Sequence, residues 1–470
     1  MTDTIFQPIK GTFDARALIT AQRQFFNSKV TLSYSFRMEQ LKKLRNLIVD
    51  NERAILDALH ADLRKSDFEG YGTEVGFCLG EIDHTIKHLK SWMKPKRVAT
   101  PLFHSIGSSH LYSDPFGVTL IISPWNYPFQ LLIAPLIGAI CAGNTAILKP
   151  SELAPNTSKL IDELISKNFN PEYIAVVLGA VEESRALLEE RFDYIFFTGG
   201  VEIGRYVYQC AAKYLTPVTL ELGGKSPCIV DENINLEVAS RRILWGKFTN
   251  AGQTCVAPDY LLVDEKVKDK LLAKMKIHLK EFFGDDPQLS PDYGRIINER
   301  HFDRINRLID SNKVFTGGKT DKSDLYISPT ILENITTDDA VMGQEIFGPV
   351  LPVITYNNVN EAIDFVNKNE KPLAFYIFSE NKSFSEKILQ ETSGGGGCIN
   401  DTLMHLGNAN LPFGGVGESG IGAYHGASTF DTFSHKKSVH KKSTITDLKI
   451  RYAPYKNNLP ILKQLMKWLN

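Results

Sequence analysis

Residues 117–149 read GVTLIISPWNYPFQLLIAPLIGAICAGNTAILK, the most apolar run in a chain of 470 residues. The run is long enough to invite comparison with a membrane span. Pro124, Pro128 and Pro135, with the polar Asn126 and Gln130, argue against a single spanning helix. They suit a strand over 118–122, a proline-bounded loop, a buried helix over about 130–142 and a second strand over 145–148. Continuously apolar strands belong to a parallel sheet covered on both faces. The stretch therefore reads as a βαβ unit, and the chain as an α/β protein.

The pattern continues downstream. Helices are expected over 156–167, 181–190 and about 201–214, and strands over 174–178, 194–197 and 218–222. A strand at 228–230 marks a change of domain, and a helix over 236–248 follows it. Further helices and apolar runs extend to about residue 400, including a strand over 350–356. Upstream, 14–63 and 74–93 read as amphipathic helices covering a sheet face. Residues 95–114 read as an extended ribbon or a linker. Residues 429–439 read as strand-like, and 461–469 as a short amphipathic helix.

Composition narrows the class. Hydrophobic residues make up 43% and charged residues 23%, ordinary for a soluble globular protein. Lys and Arg total 53 against 54 Asp and Glu, with no long basic block, so nucleic acid is not an expected partner. The six cysteines are scattered without a CxxC pair. Neither a zinc ribbon nor a disulfide framework is suggested, no metal is expected, and a reducing cytoplasmic setting fits. The first residues, MTDTIFQPIKG, lack the basic and apolar regions of a secretory signal.

Several residues stand out chemically. In 248–258, FTNAGQTCVAP, Cys255 keeps company with Asn250, Gly252, Gln253 and Thr254. A structural cysteine has apolar neighbours and is inert, whereas one in a Gly- and Asn-containing loop is open to act as a nucleophile. Glu221 lies in the apolar run VTLEL, either facing solvent on an edge strand or buried and made basic by its surroundings. Asn126 follows the first strand of the βαβ unit, as a ligand contact or as a turn former beside proline. Lys149 and Glu152 follow the second strand. Gly199, Gly200 and Gly204 sit between a strand and a helix, where free N–H groups favour a phosphate. That spacing is not GxGxxG, so a tight turn without ligand explains it equally. Glu345 and Phe347 share a loop, and such residues can hold ribose hydroxyls and contact a planar ring. Residues 394–397 and 413–426 are glycine-rich but carry interspersed apolar residues, which points to ordered, closely packed backbone.

The stretches SPWNYPF, LKPSE, FTGGVEIG, LELGGKSP, GQTCVAPDY, EIFGP, LPFGGVGESGIGAYHG and TFDTFSHKKSV occur in this order between about residues 115 and 440. Together they resemble the NAD(P)-dependent aldehyde dehydrogenases, in particular the class 3 and fatty aldehyde dehydrogenase branch. Gly200 stands where that family commonly has Ser, and the tail lacks the long hydrophobic anchor of its membrane-bound members. The resemblance implies a Rossmann-type cofactor domain (1–96 and 115–224), an α/β catalytic domain (225–418), a small β oligomerisation arm (97–114 and 428–445) and a C-terminal tail (446–470). It implies Cys255 as nucleophile, the Asn126 amide and Cys255 N–H as oxyanion donors, and Glu221 as the base that activates water against a thioester. Lys149 and Glu152 would then meet the adenine ribose, Gly199 to Gly204 the pyrophosphate, and Glu345 with Phe347 the nicotinamide ribose. Glu152 favours NAD, with NADP used more weakly beside Lys149. The expected substrate is an apolar aldehyde and the expected assembly a homodimer. The tail is expected to pack on protein, touch a membrane surface peripherally, or border a substrate tunnel. A cysteine hydrolase or acyltransferase without redox chemistry is the competing reading.

Overall fold

The computed structural model describes residues 14–101, 107–445, 447 and 449–469. The N-terminal residues read above for a signal, and residues 102–106 of the expected arm, lie outside the described residues.

The βαβ unit forms as its apolarity requires. Strands Val118–Ile122 and Thr145–Lys149 pair in parallel, and every residue of helix Gln130–Ala142 between them is buried. Pro124 and Pro128 fall in the connecting loop, while Pro135 sits inside the helix. The sheet orders its strands Gly420–Ile421, Val218–Glu221, Tyr194–Thr198, Val118–Ile122, Thr145–Lys149 and Ile174–Val176. All are parallel except Gly420–Ile421, which runs antiparallel to Val218–Glu221. From Val118–Ile122 the chain winds outward through 145–149 and 174–176. It then returns to the other side at 194–198. The reversal leaves a crevice at the carboxyl ends of 118–122 and 194–198, the usual ligand position in an open α/β sheet.

A second, seven-stranded sheet runs Val314–Thr316, Thr330–Leu332, Val350–Tyr356, Tyr260–Asp264, Pro227–Val230, Ala374–Phe378 and Gly396–Ile399. Helix Leu236–Phe248 joins strand Pro227–Val230 to the Cys255 loop. A three-stranded antiparallel sheet combines Lys96–Val98, Gly107–Pro115 and Ser434–Lys442.

The structure departs from the expectations at identifiable points. The 14–63 run divides into Ala15–Asn27, Tyr34–Asp50 and Glu52–Leu63, because Lys29 turns left-handed (φ 67°) and Ser33 and Asn51 open new helices. Strand 174–178 is shorter, Ile174–Val176, and Lys149 ends a strand instead of lying in the loop. The 429–439 segment is not one strand. The His425 N–H donates to the Thr429 hydroxyl (2.7 Å), helix Ala427–Thr432 follows, and the strand begins only at Ser434. Part of the glycine-rich 394–397 run is an edge strand, and a Cβ on Gly397 would lie 1.9 Å from the Phe375 carbonyl oxygen.

Candidate active site

The loop before Cys255 is built from strained backbone. Asn250 (φ 53°), Ala251 (φ 50°) and Gly252 (φ 73°) are all left-handed. Such residues persist only where surroundings over-determine them. A Cβ on Gly252 would stand 2.3 Å from the Gly348 carbonyl oxygen, so only glycine lets the two loops meet. The Gln253 side chain donates to the carbonyls of Asn250 (3.0 Å) and Arg295 (2.9 Å) and accepts from the Ile297 N–H (3.0 Å). Asn250 Nδ2 donates to the carbonyls of Asn126 (2.8 Å) and Gln253 (3.1 Å).

Cys255 is half-buried at the wall of a cavity. Desolvation, then Glu345 and Glu221, push its thiol up to about 12. The thiolate is the reactive form. In the cofactor-free protein, alkylation of Cys255 by iodoacetamide should therefore climb about tenfold per pH unit from pH 7 to 10. A plateau below pH 9 in peptide-mapped alkylation rates would contradict this electrostatic picture.

Asn126 is buried in the loop after Val118–Ile122, as a crevice residue should be. Its Nδ2 donates to the Gln253 carbonyl (3.0 Å), two residues before Cys255, and its Oδ1 has no protein partner. The amide carries two N–H groups, so one remains available to a ligand.

Glu221 ends its strand and is 2% exposed. It is not a solvent-facing edge residue, because Gly420 pairs opposite it and covers that edge. Neither carboxyl oxygen has a protein hydrogen-bond partner, and desolvation drives the carboxyl well above its ordinary range. Glu345 reaches the same place from the second sheet. Its carboxyl lies so close to Gly223 that a Cβ there would stand 2.2 Å from Oε2, and desolvation raises it to about 8. Phe347 meets Trp125 edge-on, with ring centroids 5.4 Å apart.

The crevice has the features of a dinucleotide site. Helix Val201–Ala212 begins at Gly200 without a side-chain cap, and a Cβ on Gly200 would meet nothing within 4 Å. Ser123 Oγ and Thr198 Oγ1, at the ends of the two flanking strands, are buried without partners. Gly199 follows Thr198 directly, and Gly204 packs against Leu222. Lys149 is buried, and its ammonium donates to the carbonyls of Pro150 (3.0 Å) and Gly179 (2.6 Å); Glu152 is exposed beside it. These residues fit a phosphate at an uncapped helix N-terminus and a ribose at the rim.

A cavity of about 560 Å³ leads to Cys255. Phe77, Tyr127, Leu131, Trp245, Phe283 and Phe413 are among its walls. Among the described residues, none from the C-terminal tail is among its walls. Among the described residues no helix is long and apolar enough to cross a membrane, and no cluster suits a metal ion.

Other site residues escaped the sequence reading. Lys225 and Asp259 form an ion pair (2.6 Å); Lys225 also donates to the Gln344 carbonyl (2.9 Å), and Asp259 accepts from the Ile346 N–H (3.0 Å). With Arg304 on the Ile346 carbonyl (2.7 Å) they fix the Glu345 loop. The signal was present: a lysine and an aspartate inside otherwise uncharged motifs, GGKSP and APDY. Glu69 lines the cavity with a carboxyl raised to about 7 by desolvation. Its sequence, an acid among helix-surface charges, offered no signal.

The sequence profile of the Aldehyde dehydrogenase family matches residues 8–439. A Staphylococcus aureus protein, 4,4'-diaponeurosporen-aldehyde dehydrogenase, is 52% identical over 95% of this chain and 97% of its own length. The rat protein named Aldehyde dehydrogenase, dimeric NADP-preferring, is 48% identical over 93% of this chain and 97% of its own. The solved structure described as the substrate bound state of Staphylococcus aureus AldH superposes with a TM-score of 0.95 at 49% identity, covering 97% of this chain and all of that one. Nothing in these findings favours a cysteine hydrolase without redox chemistry. The crevice and cavity thus meet at Cys255 in a chain that belongs to the aldehyde dehydrogenase family, an NAD(P)-dependent oxidoreductase of aldehydes.

Proposed function

We propose that the chain oxidises medium- and long-chain aliphatic aldehydes, or other apolar ones, to carboxylates through a covalent Cys255 intermediate. The supporting observation is the position of Cys255 at the wall of a largely apolar cavity, with Glu221 at a strand end and Asn126 in a loop brought near it. The sulfur attacks the carbonyl carbon as the thiol gives its proton to solvent base, forming the S–C bond and an oxyanion. The free Asn126 N–H and the Cys255 backbone N–H donate to that oxygen without protonating it. Bound in the crevice, the nicotinamide ring supplies the hydride acceptor. The resulting thioester is attacked by water whose proton passes to ionised Glu221. The C–S bond then breaks and the carboxylate leaves. Glu221 works as a base only above its raised pKa, so turnover should still be increasing with pH above the ordinary carboxylate range.

An aldehyde series tests the substrate reading. Each methylene buried in the cavity contributes about 0.8 kcal/mol, about fourfold in binding. Accordingly, kcat/KM should rise steadily from propanal towards decanal. A value that is flat or falling beyond propanal overturns the apolar assignment.

Gly199, Gly200 and Gly204 would hold the pyrophosphate, and Glu345 and Phe347 the nicotinamide-ribose end. Exposed Glu152 supports a preference for NAD, since a carboxylate beside the ribose repels a 2′-phosphate. Lys149 offsets this less than its sequence position suggested, because its ammonium serves two carbonyls. Glu152→Gln should raise the NADP/NAD ratio of kcat/KM. An unmodified protein that uses NADP as well as NAD would sink this preference.

We further place the chain in the cytoplasm as a homodimer. Its described cysteines are unpaired, its three-stranded sheet offers the exposed strand Ser434–Lys442, and the rat relative is named dimeric. Helix Leu459–Leu469 exposes Leu459, Ile461 and Met466 near Lys463, a face suited to peripheral contact with an anionic membrane.

A further inference from the structure

Lys65 and Glu74 are both fully buried and form an ion pair of 2.5 Å. Neither was a candidate from sequence, where both read as ordinary charges near helices. Burying two charges is costly, and apolar residues of similar size would often pack as stably. What the pair touches is therefore informative. Lys65 Nζ donates to the main-chain carbonyl of Asn126 (2.9 Å) and stands 4.0 Å over the Tyr127 ring. Glu74 Oε2 accepts from the backbone N–H groups of Phe129 (2.9 Å) and Gln130 (3.2 Å), at the start of helix Gln130–Ala142. Beyond the ion pair itself, the hydrogen bonds and ring contact of these two side chains fall on 126–130.

We propose that Lys65 and Glu74 are positioning residues for the reaction: their buried ion pair holds the 126–130 main chain so that the Asn126 amide is aimed where the oxyanion forms. This rests on the reading of Asn126 as an oxyanion donor. The side chain is tied at one N–H to the Gln253 carbonyl, and Asn250 ties the Asn126 carbonyl to the nucleophile loop. Those ties act within the two loops, whereas Lys65 and Glu74 anchor the 126–130 segment to the N-terminal part of the chain. An oxyanion donor contributes because its orientation is settled before the charge appears. A displacement of about 1 Å can cost about 100-fold in rate.

The test compares unmodified protein, Lys65→Met/Glu74→Gln, Asn126→Ala and the triple variant. The Gln keeps an acceptor for the Phe129 and Gln130 N–H groups, and the neutral pair avoids stranding one buried charge; Lys65→Leu/Glu74→Gln serves if Met at 65 prevents folding. The readouts are the single-turnover rate of reduced nicotinamide formation, KM for NAD, and thermal unfolding. The neutral pair should slow the single turnover about 10- to 100-fold with KM for NAD little changed. On the Asn126→Ala background the same change should cost less than about threefold, because both changes act through one amide. Equal cost in both backgrounds means the pair only stabilises the fold and overturns the proposal, as does an unchanged rate in the neutral pair. If Asn126→Ala itself leaves the rate unchanged, the oxyanion reading fails, which is a distinct result from failure of the positioning.

Discussion

Cys255→Ala should lower kcat for aldehyde oxidation by roughly 10⁴-fold or more, with NAD binding and thermal unfolding little changed. The half-buried side chain faces a cavity, so removing its sulfur leaves no large packing defect. The strained loop around it is held by Gln253, Asn250 and Gly252, none of which uses the thiol. Loss of activity with retained fold would separate the nucleophile from the scaffold. Five other cysteines are present, and Cys398 is also half-buried. It lies 3.5 Å from His405 instead of beside Glu221, and it should not substitute.

Glu221→Gln should lower steady-state kcat about 10²- to 10⁴-fold, the scale of lost general-base catalysis. The substitution is nearly isosteric, and the carboxyl it replaces makes no protein hydrogen bond, so stability should not fall. Acylation does not need this base. A single burst of about one reduced nicotinamide per site should survive, followed by a stall. The variant should also lose the rise in kcat with pH, since that limb reports the Glu221 proton.

Which parts were legible follows from what physics writes into local sequence. The βαβ unit was readable because its strands are apolar on both faces and its prolines punctuate one loop. Cys255 and Glu221 were readable as chemical misfits, a thiol among polar residues and an acid among leucines. The burial of Glu221 was not readable, because it depends on Gly420–Ile421, two hundred residues away, closing the sheet edge. Helix Ala427–Thr432 was misread as strand because its start depends on one hydroxyl contact at Thr429. Lys65 and Glu74 look like solvated charges until the fold buries them against a loop sixty residues on. Lys149 reads as a loop residue but ends its strand, and its two carbonyl partners come from the adjacent Pro150 and from Gly179. Long-range pairing decided the burial of Glu221, Lys65 and Glu74.

The central claim is that aldehyde carbon becomes bound to Cys255 and is released by Glu221. The direct measurement is peptide mass spectrometry of Glu221→Gln, acid-quenched after mixing with decanal and NAD. The account predicts one decanoyl group per chain, on the peptide carrying Cys255, in step with the burst of reduced nicotinamide. No acyl group despite the burst, or an acyl group on another residue, would contradict it.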